Sequence, residues 1–343
     1  MQAMVLDACV DLAVIREPLR LAEVPMPVAG DDELLIQVLT CGVCHTELDE
    51  IEGRTPPVSF PAILGHQVVG RVVACGERVK GINVGERVGV AWIHSSCGTC
   101  RHCREGRENL CARFRATGRD APGGYAKFMT VPAPYAYPIP DRFTDAEAAP
   151  LLCAGAIGHR SLRLAELKEG QTLGLMGFGA SAHLCLQLAR HRFPELSVFV
   201  FARKPEERAF ALELGAAWAG DTDDTPPQPV DAIIDTTPVW GTVLGALAAL
   251  APGGRLVINA IRKEDADKPE LLRLDYPRHL WMEKTVQSVA NVTRDDVREF
   301  LELAARIPLR PAVEEYPLAE ANRALHELKQ HRVRGAKVLR VSS

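Results

Sequence analysis

The sequence of 343 residues predicts a two-domain α/β protein. Residues 1–150 contain short Val- and Ile-rich runs separated by glycines and prolines, a texture typical of strands. After residue 150, apolar strands alternate with helical segments, which indicates a parallel sheet with helices on both faces. An Ala- and Leu-rich stretch at 146–167 is predicted to be a helix and separates the strand-rich part from the part with alternating strands and helices.

The individual elements follow from the hydrophobic pattern. In the first half we predict strands at 34–39, 67–76 and 86–93. In the second half we predict strands at 172–177, 196–202, 230–237 and 254–260, alternating with helices at 180–192, 205–214 and 241–250. The tail is predicted to contain a strand at 285–291, helices at 294–305 and 318–330, and a last strand at 336–341.

Composition and charge exclude several classes of protein. The net charge is −4 with interspersed signs, so no basic surface for nucleic acid or for a membrane is predicted. Asp7 and Asp11 stand where a signal peptide would be apolar, and no uncharged run is long enough to span a bilayer. We therefore expect a cytoplasmic protein, in which ten cysteines point to metal binding or catalysis.

The stretch CGTCRHCREGRENLC carries four closely spaced cysteines. They are Cys97, Cys100, Cys103 and Cys111. Thiolates at this spacing can wrap one tetrahedral zinc, and a closed four-sulfur shell leaves no position for substrate. Scattered buried cysteines are the alternative, but the segment is polar. The sequence therefore predicts a structural zinc site.

A phosphate-binding turn is predicted where TLGLMG runs into GFGASA and a helix. Gly177 permits the tight turn, Gly179 lets the backbone approach a pyrophosphate, and the small Ala182 lets the helix pack closely. Because a strand precedes the motif and a second strand follows the helix, a dinucleotide site is favoured over a chance match.

The end of the second strand bears on the choice of dinucleotide. An NAD site usually has a carboxylate there, which binds the ribose 2′-hydroxyl. Here the position falls at Ala202, followed by Arg203 and Lys204, and two cations can bind a 2′-phosphate. The sequence therefore favours NADP(H), with NAD(H) as the other possibility; the alternative is that both cations are solvated loop charges.

A second metal site can be assembled from three further contexts. These are Cys41, Cys44 and His45 in TCGVCHTELDE, His66 in ILGHQVVG, and Cys153 in LLCAGAIG. Catalytic zinc takes three protein ligands and keeps one open position, so two thiolates and one imidazole would suit it. The alternative for an isolated cysteine is a small buried apolar side chain.

Taken together, these motifs make the chain resemble a zinc-dependent alcohol dehydrogenase of the medium-chain dehydrogenase/reductase family. The matching pieces are GVCHTEL, LGHQVVGRV, GERVGVAW, the four-cysteine stretch, LLCAG, GFGASA and the closing PLAEANRALHELKQHRVRGAKVL. They run in family order over nearly the whole length. The resemblance implies a GroES-like β-rich catalytic domain at 1–153, to which 292–343 returns, and a Rossmann domain at 154–291.

The resemblance also implies roles for individual residues. Catalytic zinc ligands are expected at Cys44, His66 and Cys153, and the four-cysteine stretch is expected to bind a structural zinc, giving two zincs per chain. Reversible hydride transfer is then expected between a primary or secondary alcohol on zinc and NAD(P)⁺, yielding an aldehyde or ketone.

Further expected roles lie around these ligands. Thr46 matches a hydroxyl that begins a proton relay, His45 a residue that contacts the cofactor pyrophosphate, and Glu47 a carboxylate that orients the histidine ligand. Trp92 matches a wall of the substrate pocket. Thr55 stands where some relatives have a bulky aromatic residue, which predicts a roomier pocket.

The chain departs from the family pattern at several positions. Asp49 stands where many members end the relay with a histidine, and we hypothesise that it takes that role. Gln67 replaces a glutamate next to the histidine ligand. A common arginine is replaced at Ala336, with Lys337 beside it, so the usual cation for the pyrophosphate is missing from its place.

Two alternative functions stay open from the sequence. One is a polyol or aldehyde dehydrogenase of the same fold. The other is a zinc-stabilised nucleotide-binding redox sensor, in which Cys41 and Cys44 form a reversible disulfide. For an enzyme of this family we expect small alcohols, aldehydes or ketones as partners, and a homodimer or homotetramer built on the Rossmann sheet edge.

Overall fold

The computed structural model describes residues 1–330 and 334–342, which form two compact units. The first unit comprises Met1–Ala156 and Val292–Arg306, and the chain from Arg310 onward returns to it. The second unit comprises Ile157–Asn291 and Ile307–Leu309. The domain boundary predicted at 153 precedes the change of unit at Ala156.

The described strands are β1 Gln2–Leu6, β2 Leu19–Glu23, β3 Glu33–Val43, β4 Val68–Cys75, β5 Arg87–Val90, β6 Ile93–Ser95, β7 Arg115–Ala116, β8 Phe128–Pro132, β9 Ala136–Pro138, β10 Thr172–Met176, β11 Ser197–Phe201, β12 Trp218–Gly220, β13 Val230–Asp235, β14 Leu250–Ile258, β15 Thr285–Ser288, β16 Val313–Pro317 and β17 Ala336–Arg340. The described α-helices are α1 His45–Ile51, α2 Arg101–Arg104, α3 Asp145–Ala148, α4 Ala154–Ala165, α5 Ala180–Arg192, α6 Pro205–Glu213, α7 Gly241–Ala249, α8 Tyr276–His279, α9 Arg294–Arg306 and α10 Ala321–Lys329.

The first unit is built around a seven-stranded sheet. Its strand order is β16-β17-β3-β4-β5-β9, and β8 pairs with β3. All pairs are antiparallel except β16 with β17. The central strand β3 is buried along most of its length, as expected for a strand covered on both faces. It leads directly into the candidate metal site.

The second unit contains a six-stranded parallel sheet. The order β12-β11-β10-β13-β14-β15 places β10 in the interior, and every residue of that strand is buried. Apolar side chains of β10, β11, β13, β14 and α7 form its core. The predicted combination of a β-rich part and a parallel sheet with alternating helices is confirmed.

The single helix predicted at 146–167 is wrong. The structure divides it into α3, a 3₁₀ turn at Ala149–Leu152, and α4. Pro150 has no N–H for a continuing α-helix, and Cys153 adopts a non-helical backbone with φ −129° and ψ −76°. Strands β1, β2, β7, β8, β9, β12 and β16 were also not predicted, and each has five residues or fewer.

Among the described helices, none has an apolar stretch long enough to cross a membrane. The cytoplasmic location therefore stays a prediction.

Lys337 is a buried cation on β17 of the first unit. Its ammonium group donates to Glu314 at 2.8 Å, to Glu327 at 2.9 Å and to the hydroxyl of Tyr316, and lies 4.7 Å from the centre of the Tyr316 ring. The side chain is 0% exposed, so these partners enclose it. Lys337 therefore ties β17 to β16 and α10 and is not available to a cofactor.

Replacing Lys337 tests this assignment. The lysine hydrogen bond lowers the pKa of Glu327, so the stabilisation is present at neutral pH and is lost as pH falls through that lowered value. We expect Lys337→Met to reduce the free energy of unfolding by about 1–3 kcal/mol at pH 7. The reduction should shrink below about pH 4. Urea unfolding at pH 7 and at pH 3 measures both, with exposed Lys80→Met as the control; an equal reduction at both pH values contradicts the assignment.

Candidate metal centres and dinucleotide turn

The junction of β3 and α1 positions the first group of candidate residues. Val43 ends the buried strand, and Cys44 has an extended backbone immediately before α1. The Cys44 N–H donates to Oε2 of Glu47, one helical turn later, at 2.7 Å. This bond caps the helix and fixes the direction in which the Cys44 side chain leaves the backbone.

Cys44, His66 and Cys153 come together in the first unit. One ligand atom from each lies within 4.8 Å of the others, and Nε2 of His66 is 3.2 Å from Sγ of Cys153. His66 lies in an irregular segment two residues before β4, whereas Cys153 occupies the break between the 3₁₀ turn and α4. The structure thus assembles the three residues that the sequence suggested for a second metal site.

Glu47 holds two members of this group at once. Its second oxygen, Oε1, lies 2.6 Å from Nδ1 of His66, and the carboxylate is fully buried. A carboxylate accepts, so Nδ1 carries a proton, and Nε2, on the side of Cys153, is the ring atom that can bind a metal ion. This arrangement is the usual support of a metal-binding imidazole, and it shows that the three residues fit a metal ion.

The Cys44 thiol differs in its pKa from the neighbouring Cys41 thiol. The hydrogen bond from Cys153 lowers the pKa of the Cys44 thiol well below its usual value despite burial, and His66 adds to this effect. Burial raises the pKa of the Cys41 thiol, whose Sγ faces the Gly42 carbonyl oxygen at 3.6 Å. A buried, protonated thiol is a poor redox partner, which disfavours the redox-sensor alternative.

Other predicted site residues lie in the same unit, and two of them contact the group. Thr46 Oγ1 lies 3.6 Å from Cys44 Sγ, and the ring of Trp92 lies edge-on to that of His66 with centroids 6.4 Å apart. His45 is exposed at the start of α1. The Thr55 hydroxyl and the Trp92 indole nitrogen are buried, and neither has a hydrogen-bond partner within the described residues.

Asp49 has a strong partner that the sequence did not suggest. Its Oδ1 accepts from Nε of Arg54 at 2.5 Å, and Arg54 also pairs with Glu52 at 2.5 Å. Asp49 itself is buried. Arg54 follows the end of α1, and its backbone N–H donates to the carbonyl oxygen of Asp49 at 2.9 Å, so a local turn after the helix brings the two residues together.

The four-cysteine stretch folds into a small lobe of the first unit, defined as residues 97–111. Its four sulfurs lie within 4.8 Å of one another. The N–H groups of Cys100 and Arg113 donate to Sγ of Cys97 and Cys111, both at 3.3 Å. Hydrogen bonds from Thr99 and Cys100 lower the pKa of Cys97 to about 5. Such bonds stabilise thiolates, so the lobe fits a tetrahedral metal ion; His102 is not part of the group.

The predicted dinucleotide turn lies in the second unit, between β10 and α5. Gly177 has φ +81°, and an added Cβ there would lie 2.9 Å from Oγ1 of Thr236. A Cβ on Gly179 would meet nothing within 4 Å, which leaves room for a ligand beside the N-terminus of α5. Ala182 is fully buried. These features fit a pyrophosphate at the helix N-terminus.

The residues expected to determine the preference between NAD(H) and NADP(H) lie at the end of β11. Ala202 is buried, Arg203 is exposed, and Lys204 precedes α6. Arg208, which the sequence analysis did not consider, donates to the carbonyl oxygens of Ala202 and Arg203 and thereby holds this loop. Its guanidinium also contacts Asp221 at 3.2 Å.

An ion pair missed by the sequence analysis holds the neighbouring loop. Lys263 donates to buried Asp235 at 2.5 Å and to the carbonyl oxygens of Thr237 and Val239. Because Asp235 ends β13, this pair fixes the loop that packs against Gly177. A lysine 28 residues away from its partner carries no local pattern that would have revealed the contact.

Comparisons with known proteins agree with this geometry. Residues 30–141 match the family model of the alcohol dehydrogenase GroES-like domain, and residues 211–339 match that of the zinc-binding dehydrogenases. The chain is 45% identical to a probable alcohol dehydrogenase of Mycobacterium tuberculosis, over 94% of this chain and 92% of the relative. It is 32% identical to an alcohol dehydrogenase of Geobacillus stearothermophilus, over 95% and 96% of the two chains.

A solved structure extends the likeness to three dimensions. The alcohol dehydrogenase of Aeropyrum pernix superposes with a TM-score of 0.88 at 26% identity, covering 99% of this chain and 100% of that one. The chain belongs to the zinc-dependent alcohol dehydrogenases of the medium-chain dehydrogenase/reductase family. It is thus an oxidoreductase whose family uses zinc and a nicotinamide cofactor.

Two cysteine variants test which sulfur of TCGVC belongs to the metal group. We expect Cys44→Ala to reduce the zinc content from about two to about one per chain, because it removes one of three ligands. Cys41→Ala should keep both zincs, since its thiol points to a carbonyl oxygen outside the group. Metal analysis of the purified proteins measures this. Equal zinc loss from the two variants would show that the division is wrong.

Proposed function

We propose that the protein catalyses reversible oxidation of a primary or secondary alcohol to an aldehyde or ketone, with hydride transfer to NAD(P)⁺. The observation that carries the proposal is Glu47, which holds His66 and the backbone of Cys44 together beside Cys153. The chain's membership of the alcohol dehydrogenase family supports the same reaction.

Cys44, His66 and Cys153 would hold the catalytic zinc, and the four cysteines of the lobe would hold a structural zinc. Two thiolates and one imidazole leave one tetrahedral position open, whereas four thiolates leave none. When bound at the three-ligand site, zinc acts as a Lewis acid that polarises the alcohol oxygen. We therefore propose two zincs per chain with different roles.

Thr46 is proposed to take the proton of the alcohol. Its hydroxyl can both donate and accept, it is buried, and it lies 3.6 Å from Cys44 Sγ. Asp49, on the same helix, is proposed as the next acceptor in the relay. The Arg54 guanidinium fixes the Asp49 carboxylate, so the relay would use a charged pair in which Arg54 orients the acceptor.

The second group of proposed roles concerns ligand binding. Trp92, beside His66, and Thr55, whose buried hydroxyl has no partner within the described residues, are proposed to line the substrate pocket. His45 is proposed to contact the cofactor pyrophosphate, since it is exposed at the start of α1. Gly177, Gly179 and Ala182 are proposed to accommodate a pyrophosphate through the turn before α5.

We propose NADP(H) as the preferred cofactor, with NAD(H) accepted. The end of β11 offers no carboxylate for a ribose 2′-hydroxyl, because Ala202 is buried and apolar. Arg203 is exposed and Lys204 stands next to it, so both cations are placed for a 2′-phosphate.

We further propose that the protein is a homodimer or homotetramer. The edge strand β15 exposes three of its four residues, and the same region exposes large apolar side chains. These are Leu272, Leu274, Tyr276, Trp281, Met282 and Val286. An open strand edge with an apolar surround is suited to pairing with a second copy of the chain.

The reaction itself is tested by following reduced nicotinamide absorbance with simple alcohols and each cofactor. We expect a higher kcat/KM with NADP⁺ than with NAD⁺. Arg203→Ala should reduce the value for NADP⁺ about tenfold and leave that for NAD⁺ unchanged, because one charge-assisted bond to the 2′-phosphate is lost. Arg192→Ala serves as the control, because Arg192 is an exposed cation at the C-terminal end of α5, whereas the glycine turn precedes its N-terminal end. A strong preference of the wild type for NAD⁺ would refute the cofactor proposal.

The proton relay is tested at Asp49. We expect Asp49→Asn to lower kcat at pH 7 by about 10²-fold and to change the pH dependence of kcat, because an amide cannot accept the proton. Glu52→Gln is a matched control, since Glu52 also pairs with Arg54 but is not proposed as an acceptor. An unchanged rate and pH profile in Asp49→Asn would exclude Asp49 from the relay.

A further inference from the structure

Helix α9 contacts both the four-cysteine lobe and the backbone next to Cys153. We propose that Glu108 and α9 position Cys153, so that the lobe anchors the third ligand of the three-ligand site. This inference rests on the proposal that Cys44, His66 and Cys153 bind zinc. It assigns to Glu108 a positioning role in the catalytic centre and to the lobe a role beyond local stability.

The contact at the lobe is a buried charge pair. Glu108 lies between the third and fourth cysteines of the lobe and is only 3% exposed. Its Oε1 accepts from both the backbone N–H and Nε of Arg294, each at 3.0 Å. Arg294 is the first residue of α9, where backbone N–H groups have no partner within the helix. A carboxylate is favoured at this end of a helix.

A second route reaches the same arginine from the lobe. The thiol of Cys103 contacts Oγ of Ser96 at 3.4 Å, and the hydroxyl of Tyr135 is 2.9 Å from both the N–H and Oγ of Ser96. The Arg294 guanidinium lies 5.2 Å from the centre of the Tyr135 ring. Two independent sets of contacts from the lobe therefore meet at the start of α9.

The helix itself is held firmly at this end. Thr293 and Asp296 form a buried reciprocal cap, in which Asp296 Oδ2 accepts from the N–H and hydroxyl of Thr293 at 2.8 Å. The Asp296 N–H returns a bond to the Thr293 hydroxyl at 3.1 Å. A capped helix moves as one body, so a displacement of its first turn displaces the residues one and two turns later.

The far contact lies beside Cys153. Phe300 of α9 is fully buried, and an added Cβ on Gly155 would lie 2.3 Å from its Cε1. Gly155 is the second residue of α4 and follows Cys153 by two positions. Cys153 occupies the break between two helical segments, so regular helical bonding does not determine where its sulfur lies. The packing of Phe300 on Gly155 fixes the position of the Cys153 sulfur instead.

The test measures zinc release to a chelator, which yields one kinetic phase for each metal site. The phase that disappears in Cys44→Ala belongs to the three-ligand site. We expect Glu108→Gln to accelerate that phase at least tenfold, the lower end of the effect of partners that orient metal ligands. Glu105→Gln is the matched control, because Glu105 lies in the same lobe and pairs with the exposed Arg101 and Arg107.

A variant at the other end of α9 leaves the lobe untouched. Gly155→Ala should accelerate the same phase at least tenfold through contact with Phe300, although alanine favours a helix more than glycine does. Gly158→Ala, where the added Cβ makes only ordinary contacts from 3.4 Å, should release zinc like the wild type. Release of zinc from Glu108→Gln and Gly155→Ala at wild-type rates would overturn the inference.

These outcomes are separable from a failure of the proposed function. If wild-type protein binds about one zinc per chain rather than about two, the ligand proposal itself is wrong. If it binds about two and Cys44→Ala loses one, the ligand proposal holds, and the variants of Glu108 and Gly155 alone decide the role of α9. A lower thermal stability of Glu108→Gln with unchanged zinc release would make Glu108 merely structural and would also overturn the inference.

Discussion

The bridging carboxylate of Glu47 is the interaction on which the candidate catalytic site depends. One oxygen accepts from the Cys44 N–H and the other from His66, and neither reaches solvent. A buried carboxylate without such partners would be costly, so the fold stabilises this charge only while both neighbours stay in place. The same pair of bonds begins α1 and selects the histidine tautomer. Local folding and metal affinity are therefore coupled at one residue.

The three candidate ligands lie where regular structure stops. Cys44 stands between a strand and a helix, His66 before a strand, and Cys153 at a break between two helical segments. At such positions the backbone is free to direct side chains toward a common point, whereas a continuous helix would point them to different faces. The cost is that surrounding residues must fix each ligand. Glu47 does so for two of them, and the contact of Phe300 with Gly155 is proposed to do so for the third.

Features that depend on residues close together in the sequence could be predicted, whereas contacts between distant residues could not. The alternation of strands and helices, the cysteine spacing and the glycine turn are local, so the sheets and the grouping of the lobe sulfurs could be predicted. The break at Cys153 was not predicted, because the chain is rich in Ala and Leu on both sides of Pro150 and this composition favours a helix. The pair Asp235–Lys263 joins residues 28 positions apart and depends on how a loop returns, which no periodicity encodes. The buried position of Lys337 likewise follows from tertiary packing, which overrides the usual preference of lysine for solvent.

The two compact units divide the chemistry between them. Every cysteine and histidine proposed to bind zinc belongs to the first unit, whereas the glycine turn and the two cations after β11 belong to the second. Substitutions at the end of β11 therefore lie in a different folding unit from the metal ligands. The preference for one dinucleotide over the other can accordingly change during evolution, or by design, without any substitution among the metal ligands.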